Sequence, residues 1–120
     1  MAKILVHITR GPDDPTAAAL GFLVARTAIE QGHDVSLFLA GDGVELLRDA
    51  TLDSVEGKGT GKLREHYEAI AGGWARFYLS GMSSKARGLS EADLEGKPAE
   101  MAMPTKLVEL AVEHERVFTY

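Results

Sequence analysis

The chain has 120 residues, 45% of them hydrophobic and 26% charged, with a formal charge of -5 and no cysteine. That length fits a single domain over residues 1–120, with a core able to stand without metal or disulfide staples. No run of about 18 apolar residues occurs, which excludes a membrane-spanning helix, and the missing thiols exclude disulfides, thiolate zinc sites, iron–sulfur clusters and any persulfide on this chain.

Two softer expectations follow. The mildly acidic balance argues against nucleic acid, whose phosphates call for a basic face. Met1 to His7 turns polar too early for a secretory signal, whose apolar region needs about 7–15 residues, so the expected location is the cytoplasm.

Lys3 to Ile8 reads as a buried strand, short, rich in branched residues and stopped by Arg10-Gly11-Pro12. Asp14-Pro15 fits an N-cap followed by proline at the first helical position. The helix that follows should bury Leu20, Leu23, Val24, Thr27 and Ala28 and stop at Gly32. Val35 to Leu39 is a second strand, and Gly41-Asp42-Gly43 a turn in which Asp42 caps a short helix through Leu47. Asp53 to Thr60 reads as a loop. Leu63, Tyr67 and Ile70 mark a helix ended by Gly72-Gly73, before a third strand from Arg76 to Ser80.

Gly81 to Gly88 predicts a short capped helical turn, and Ser90 with Asp93 matches a capping box. Pro104 opens a last helix carrying Leu107, Val108, Leu110 and Ala111, and Val117 to Tyr120 is a terminal strand. Strand and helix alternate from end to end. That order implies a mainly parallel sheet covered on both faces, with any ligand outside the carboxyl ends of the strands. Those ends carry Thr9-Arg10-Gly11, Ala40-Gly41-Asp42 and Ser80-Gly81-Met82.

Most local motifs dissolve on inspection. Gly57 to Lys62 lacks a phosphate loop's first glycine, where Glu56 stands, and its closing hydroxyl, where Leu63 stands. It reads as a flexible linker loop. Gly41-Asp42-Gly43 lacks the third glycine of a dinucleotide fingerprint, and His7, His33, His66 and His114 show no metal-ligand spacing. Ser80 sits at a strand-to-helix turn, yet Tyr78 breaks the Gly-x-Ser-x-Gly elbow of serine hydrolases. No cofactor or metal is expected.

The segment from Ser80 to Gly88 carries more. A glycine and two serines opening a helical turn expose backbone N–H groups and hydroxyls, an anion cradle that Lys85 and Arg87 would strengthen. The competing explanation is that Ser83 caps the turn and Arg87 is a surface charge.

Several stretches resemble the DsrE/DsrF/DsrH-like family. They are Lys3 to Gly32, Asp34 to Leu39 with Gly41, Leu107 to Leu110, Arg116 to Phe118, and above all Phe77-Tyr78-Leu79-Ser80-Gly81-Met82-Ser83-Ser84-Lys85-Ala86-Arg87-Gly88-Leu89. The resemblance implies a small three-layer α/β/α domain, here with a mainly parallel sheet of four or five strands, assembling as a homotrimer or hexamer. It implies kinship with sulfur-relay proteins, in which a cysteine at this strand end accepts sulfur as a persulfide. Ser80 holds that cysteine's place, seven residues before Arg87. A serine hydroxyl needs a dedicated base to act as a nucleophile and cannot store sulfane sulfur.

The expected function is therefore a non-catalytic small-ligand-binding or assembly protein related to sulfur-relay proteins, taking a small anion or a sulfur-carrier protein as partner. The alternatives are an acyl-transfer or hydrolytic enzyme using Ser80 with Arg87 or His7, and an accessory subunit whose cysteine lies on a partner chain. The expected site is a pocket lined by Ser80, Gly81, Met82, Ser83 and Arg87 and shared with Arg10 and Asp42. Trp74, Met82, Met101 and Met103 supply the apolar load that assembly would cover.

Overall fold

The computed structural model describes residues 1–120. Five strands, β1 (Lys3–Ile8), β2 (Asp34–Leu39), β5 (Arg76–Ser80), β6 (Ala99–Ala102) and β7 (Arg116–Thr119), form one sheet in the order β6-β5-β2-β1-β7. Every neighbouring pair runs parallel, with Ile4 level with Val35 and Arg116, Leu39 with Leu79, and Ser80 with Ala102. The chain steps outward from β1 to β6 and then returns to the far side of β1. The strand order therefore reverses between β1 and β7.

Side-chain alternation assigns the two faces. Ile4, Val6, Ile8, Leu37, Leu39, Phe77 and Leu79 join one core with helices α1 (Pro15–Glu30) and α3 (Leu63–Gly72). The rings of Phe22 and Tyr67 lie 5.8 and 5.5 Å from Phe77. Each such fully buried large side chain contributes roughly 1.5–3 kcal/mol. Leu5 and Phe38 point the other way and meet Leu107, Leu110 and Ala111 of α5 (Pro104–Glu113), which alone covers the second face. The result is a three-layer α/β/α fold around a wholly parallel sheet.

The expected helix ends are present in α1. Asp14 Oδ1 accepts the Ala17 N–H at 3.3 Å, Pro15 stands at the first position, and Gly32 adopts φ 86° beyond the last turn. Its buried face is different from the expected one. Ala18, Phe22 and Ala25 face the sheet; of the expected residues Ala28 is buried, Leu20, Leu23 and Val24 are half-buried, and Thr27 is exposed. The small residues decide this. A Cβ on Gly21 would fall 2.9 Å from Ile8 Cδ1, so the helix lies too close to β1 for a larger residue there.

Other departures follow from cooperation between distant segments. The stretch Gly57 to Lys62 is no loose linker but a hairpin of β3 (Glu56–Gly57) and β4 (Gly61–Lys62). Thr16 pins it, its hydroxyl accepting the Lys58 N–H at 3.0 Å and its carbonyl the Thr60 hydroxyl at 3.1 Å. A further turn of helix, α2 (Asp49–Ser54), precedes it, and β6 completes the sheet at its edge. Met101 of β6 packs against the core and carries no exposed apolar load.

Candidate functional site

Three loops converge where β1, β2 and β5 end. Glycine makes their approach feasible: a Cβ on Gly43 would sit 2.4 Å from the Ile8 carbonyl oxygen, and one on Gly11 2.6 Å from the Asp42 carbonyl oxygen. The 3₁₀ turn Gly41–Leu47 thus lies directly on the end of β1. Across it stands α4 (Gly81–Ala86), entered from β5 through Ser80.

Hydrogen bonds tie the second and third loops together. Ser80 Oγ accepts the Ser83 N–H at 3.1 Å, so Ser80, not Ser83, caps α4. Ser83 Oγ is thereby free to accept the Gly41 N–H at 2.9 Å. Arg87 folds back over the turn, donating from Nη1 to the Ser83 carbonyl at 3.2 Å. Its Nε and Nη2 reach Asp42 Oδ1 at 3.1 and 2.8 Å. Asp42 does not cap its own helix, whose N-cap is Ala40 without a side-chain bond. It neutralises Arg87 instead.

Five of the seven expected residues, Ser80, Gly81, Ser83, Arg87 and Asp42, share this cluster. Met82 stands beside it with 63% of its surface exposed. Arg10 turns aside to Asp14, the N-cap of α1, at 3.1 Å. Gly81 alone of the seven borders a cavity, a hollow of about 410 Å³ that Ser84, Lys85 and Met101 also line.

One member had no local signature. Arg48 Nη2 donates to the Arg87 carbonyl at 2.8 Å and Nη1 lies 3.6 Å from Asp93, bracing the far end of α4. It stands 39 residues from Arg87, and a lone arginine between two short helices gives no hint of that bond.

The chemistry available to Ser80 is narrow. Its side chain is buried, with 8% of the residue exposed, and neither histidine nor carboxylate bonds to it. His7 lies two strands away, level with Phe38 and Tyr78, its ring edge-on to Phe38 at 6.0 Å. Burial holds its imidazole below the ordinary 6.5, so it is neutral near pH 7, and its Nε2 has no hydrogen-bond partner.

The other histidines are engaged structurally. His33 Nδ1 accepts the Ala2 N–H at 2.9 Å, His66 Nε2 lies 2.7 Å from the Thr60 carbonyl, and His114 Nδ1 lies 2.6 Å from the Leu110 carbonyl. No group of three or more metal-ligating side chains is gathered anywhere. No helix is long and apolar enough to cross a membrane.

Comparison with known proteins places this geometry. The ychN protein from E. coli superposes with a TM-score of 0.80 at 19% identity, covering 100% of both chains. MTH1491 from Methanobacterium thermoautotrophicum gives 0.73 at 18%, again over 100% of both chains. BT1422 from Bacteroides thetaiotaomicron gives 0.71 at 12%, over 99% of this chain and 95% of its own. The last two are described as proteins of unknown function. At these identities the likeness is one of fold. No curated protein matches the sequence. The DsrE/DsrF-like family model, by contrast, matches residues 2–120, and with nearly every residue inside that match the chain belongs to the DsrE/DsrF-like family.

Proposed function

We propose that this chain is a non-catalytic, homo-oligomeric member of the family. It binds a small anion, or the anionic sulfur-bearing group of a carrier protein, where β2 and β5 end. The observation that carries this is the state of Ser80: in the place of a sulfur-accepting cysteine stands a hydroxyl spent on capping α4, with no base beside it. Nucleophilic catalysis needs such a base, which weighs against acyl transfer or hydrolysis. What the cluster offers is a guanidinium held by one exposed carboxylate. An external anion can take the carboxylate's place, because a surface pair of this kind is worth only about 0–1 kcal/mol.

Assembly belongs to the same proposal. Met82 and Met103, 63% and 55% exposed, follow the paired ends of β5 and β6 and flank Ser80. A second copy seated on them would close the open side of the site, as trimer or hexamer. A cytoplasmic location goes with this function.

Titration with inorganic sulfate, followed by amide NMR, tests the site. Shifts should concentrate at residues 80–87 and 41–43. Asp42→Asn, which frees Arg87, should tighten binding by about two- to fivefold, the worth of one exposed pair. Shifts confined to other regions, or an Asp42→Asn variant that binds no better, would remove the anion from this site. The alternative in which a partner chain supplies the cysteine predicts sulfur transfer only after that partner is added.

A further inference from the structure

The largest cleft of the molecule lies at the opposite edge of the sheet, before β5 and β6 begin. Its volume is about 740 Å³, and its walls come from α3, the loop into β5 and the loop Glu95–Pro98. Trp74 stands on its rim, 94% exposed. It is also the only residue other than glycine with positive φ, at 66°. A side chain with a Cβ is strained in that conformation, and an indole gains nothing from water. Trp74 therefore strains the backbone and gains no burial in exchange, the pattern expected of a residue kept for a contact.

The cleft's cations are all paired, while one of its carboxylates is not. Arg64 is shared by Asp49, Asp53 and Glu68 at 3.2, 2.8 and 3.6 Å. Arg76 pairs with Glu100 at 3.3 Å, and Lys97, 93% of whose side chain is hidden from water, gives its charge to Asp49. All three cations are committed to carboxylates, while Glu95 has no ion-pair partner. The lining carries three carboxylates and three cations, and the ion-pair partners Asp53 and Glu100 at its margin leave Glu95 as the carboxylate without a counter-charge. Tyr67 adds a neutral polar atom: the residue is 5% exposed, its hydroxyl has no hydrogen bond within the protein, and it lines the cleft. Burial raises its pKa, so the phenol stays protonated.

An exposed aromatic face, the unpaired carboxylate of Glu95 and a phenol oxygen free to accept a hydrogen bond suit a donor-rich cation. An anion finds no uncommitted positive charge here. We infer that this cleft is a binding site for an organic cation, an alkylguanidinium or alkylammonium group held between the Trp74 indole and the carboxylates. The site is independent of the one at the carboxyl edge. Two sources share this chemistry, a free polyamine and an arginine or lysine side chain of a partner protein.

Trp74 is the only tryptophan in the chain, so its emission reports on the cleft directly. The full chain is titrated with spermidine, with an acetylated, amidated arginine peptide, and with the same peptide carrying citrulline, arginine's uncharged isostere. A saturable change with spermidine alone identifies the free amine as the source, and one with the arginine peptide alone identifies the protein side chain. A response to both supports the shared cation site.

By calorimetry, Trp74→Ala and Glu95→Gln should each weaken the responding probe about two- to fivefold, the worth of one exposed cation–π or charge contact. Three results overturn the proposal. These are no saturable response to either cation, an equal response to citrulline, or both variants binding as the unaltered protein does. Emission that changes with protein concentration and ignores every cation also overturns it, by assigning Trp74 to contact between copies.

Discussion

His7 shows how one side chain can set a pH response without touching the site. Half-buried beside Phe38, with its Nε2 covered and unbonded, its imidazole stays neutral in the folded chain at pH values where the unfolded chain takes up a proton. Because the folded value lies below 6.5, stability is complete above about that pH and drains away as pH falls through the lowered value. His7→Leu removes both the orphaned nitrogen and this proton linkage. Urea unfolding at about pH 7.5 and about pH 5 should show the variant losing less stability on acidification than the parent. Parallel losses in the two proteins would show that burial at this position has no such consequence.

Among the elements, the end of α3 carries its own prediction. Gly73 is the C-cap and Trp74 occupies the next position, where a left-handed backbone favours glycine. Trp74→Gly should stabilise the fold by roughly 0.5–1 kcal/mol, after allowing for glycine's greater entropy loss. Chemical denaturation measures this, and a less stable variant would mean that the indole packs where it stands. The glycine pair before it was enough to mark this helix end in the sequence, as Asp14-Pro15 marked the start of α1. Both are local signals, complete within a few residues. The sheet-facing side of α1 is hidden from sequence periodicity, in which large aliphatics outweigh alanine, whereas close packing on β1 selects Ala18, Gly21 and Ala25. Ala99–Ala102 gave no strand signal at all, since alanine and glutamate lend no β preference and only pairing with β5 extends them. In the site the serines, Gly81 and Arg87 were legible as a capped turn. The partnership of Asp42 with Arg87 was not, because it spans 45 residues and depends on the sheet order.

At the scale of the molecule, the second face is the thin one. Beyond the strip where Leu107, Leu110 and Ala111 meet the sheet, Val108 and Val112 stand 63% and 81% exposed one helical turn apart, and Val117 on β7 is 45% exposed. Light scattering at micromolar concentration should give a multiple of the single-chain mass, and Val108→Asp with Val112→Asp should lower it. A single-chain mass for the unaltered protein would dismiss assembly. The pairing of β7 with β1 bears on synthesis as well. These two strands lie more than a hundred residues apart in sequence, yet each supplies the other's only ladder on that side. During translation β1 through β6 emerge first and can join, leaving β1 with an unpaired flank until β7 leaves the ribosome. Throughout that interval the nascent sheet offers a bare strand to any neighbouring chain, and the four-residue strand β7 is what seals it.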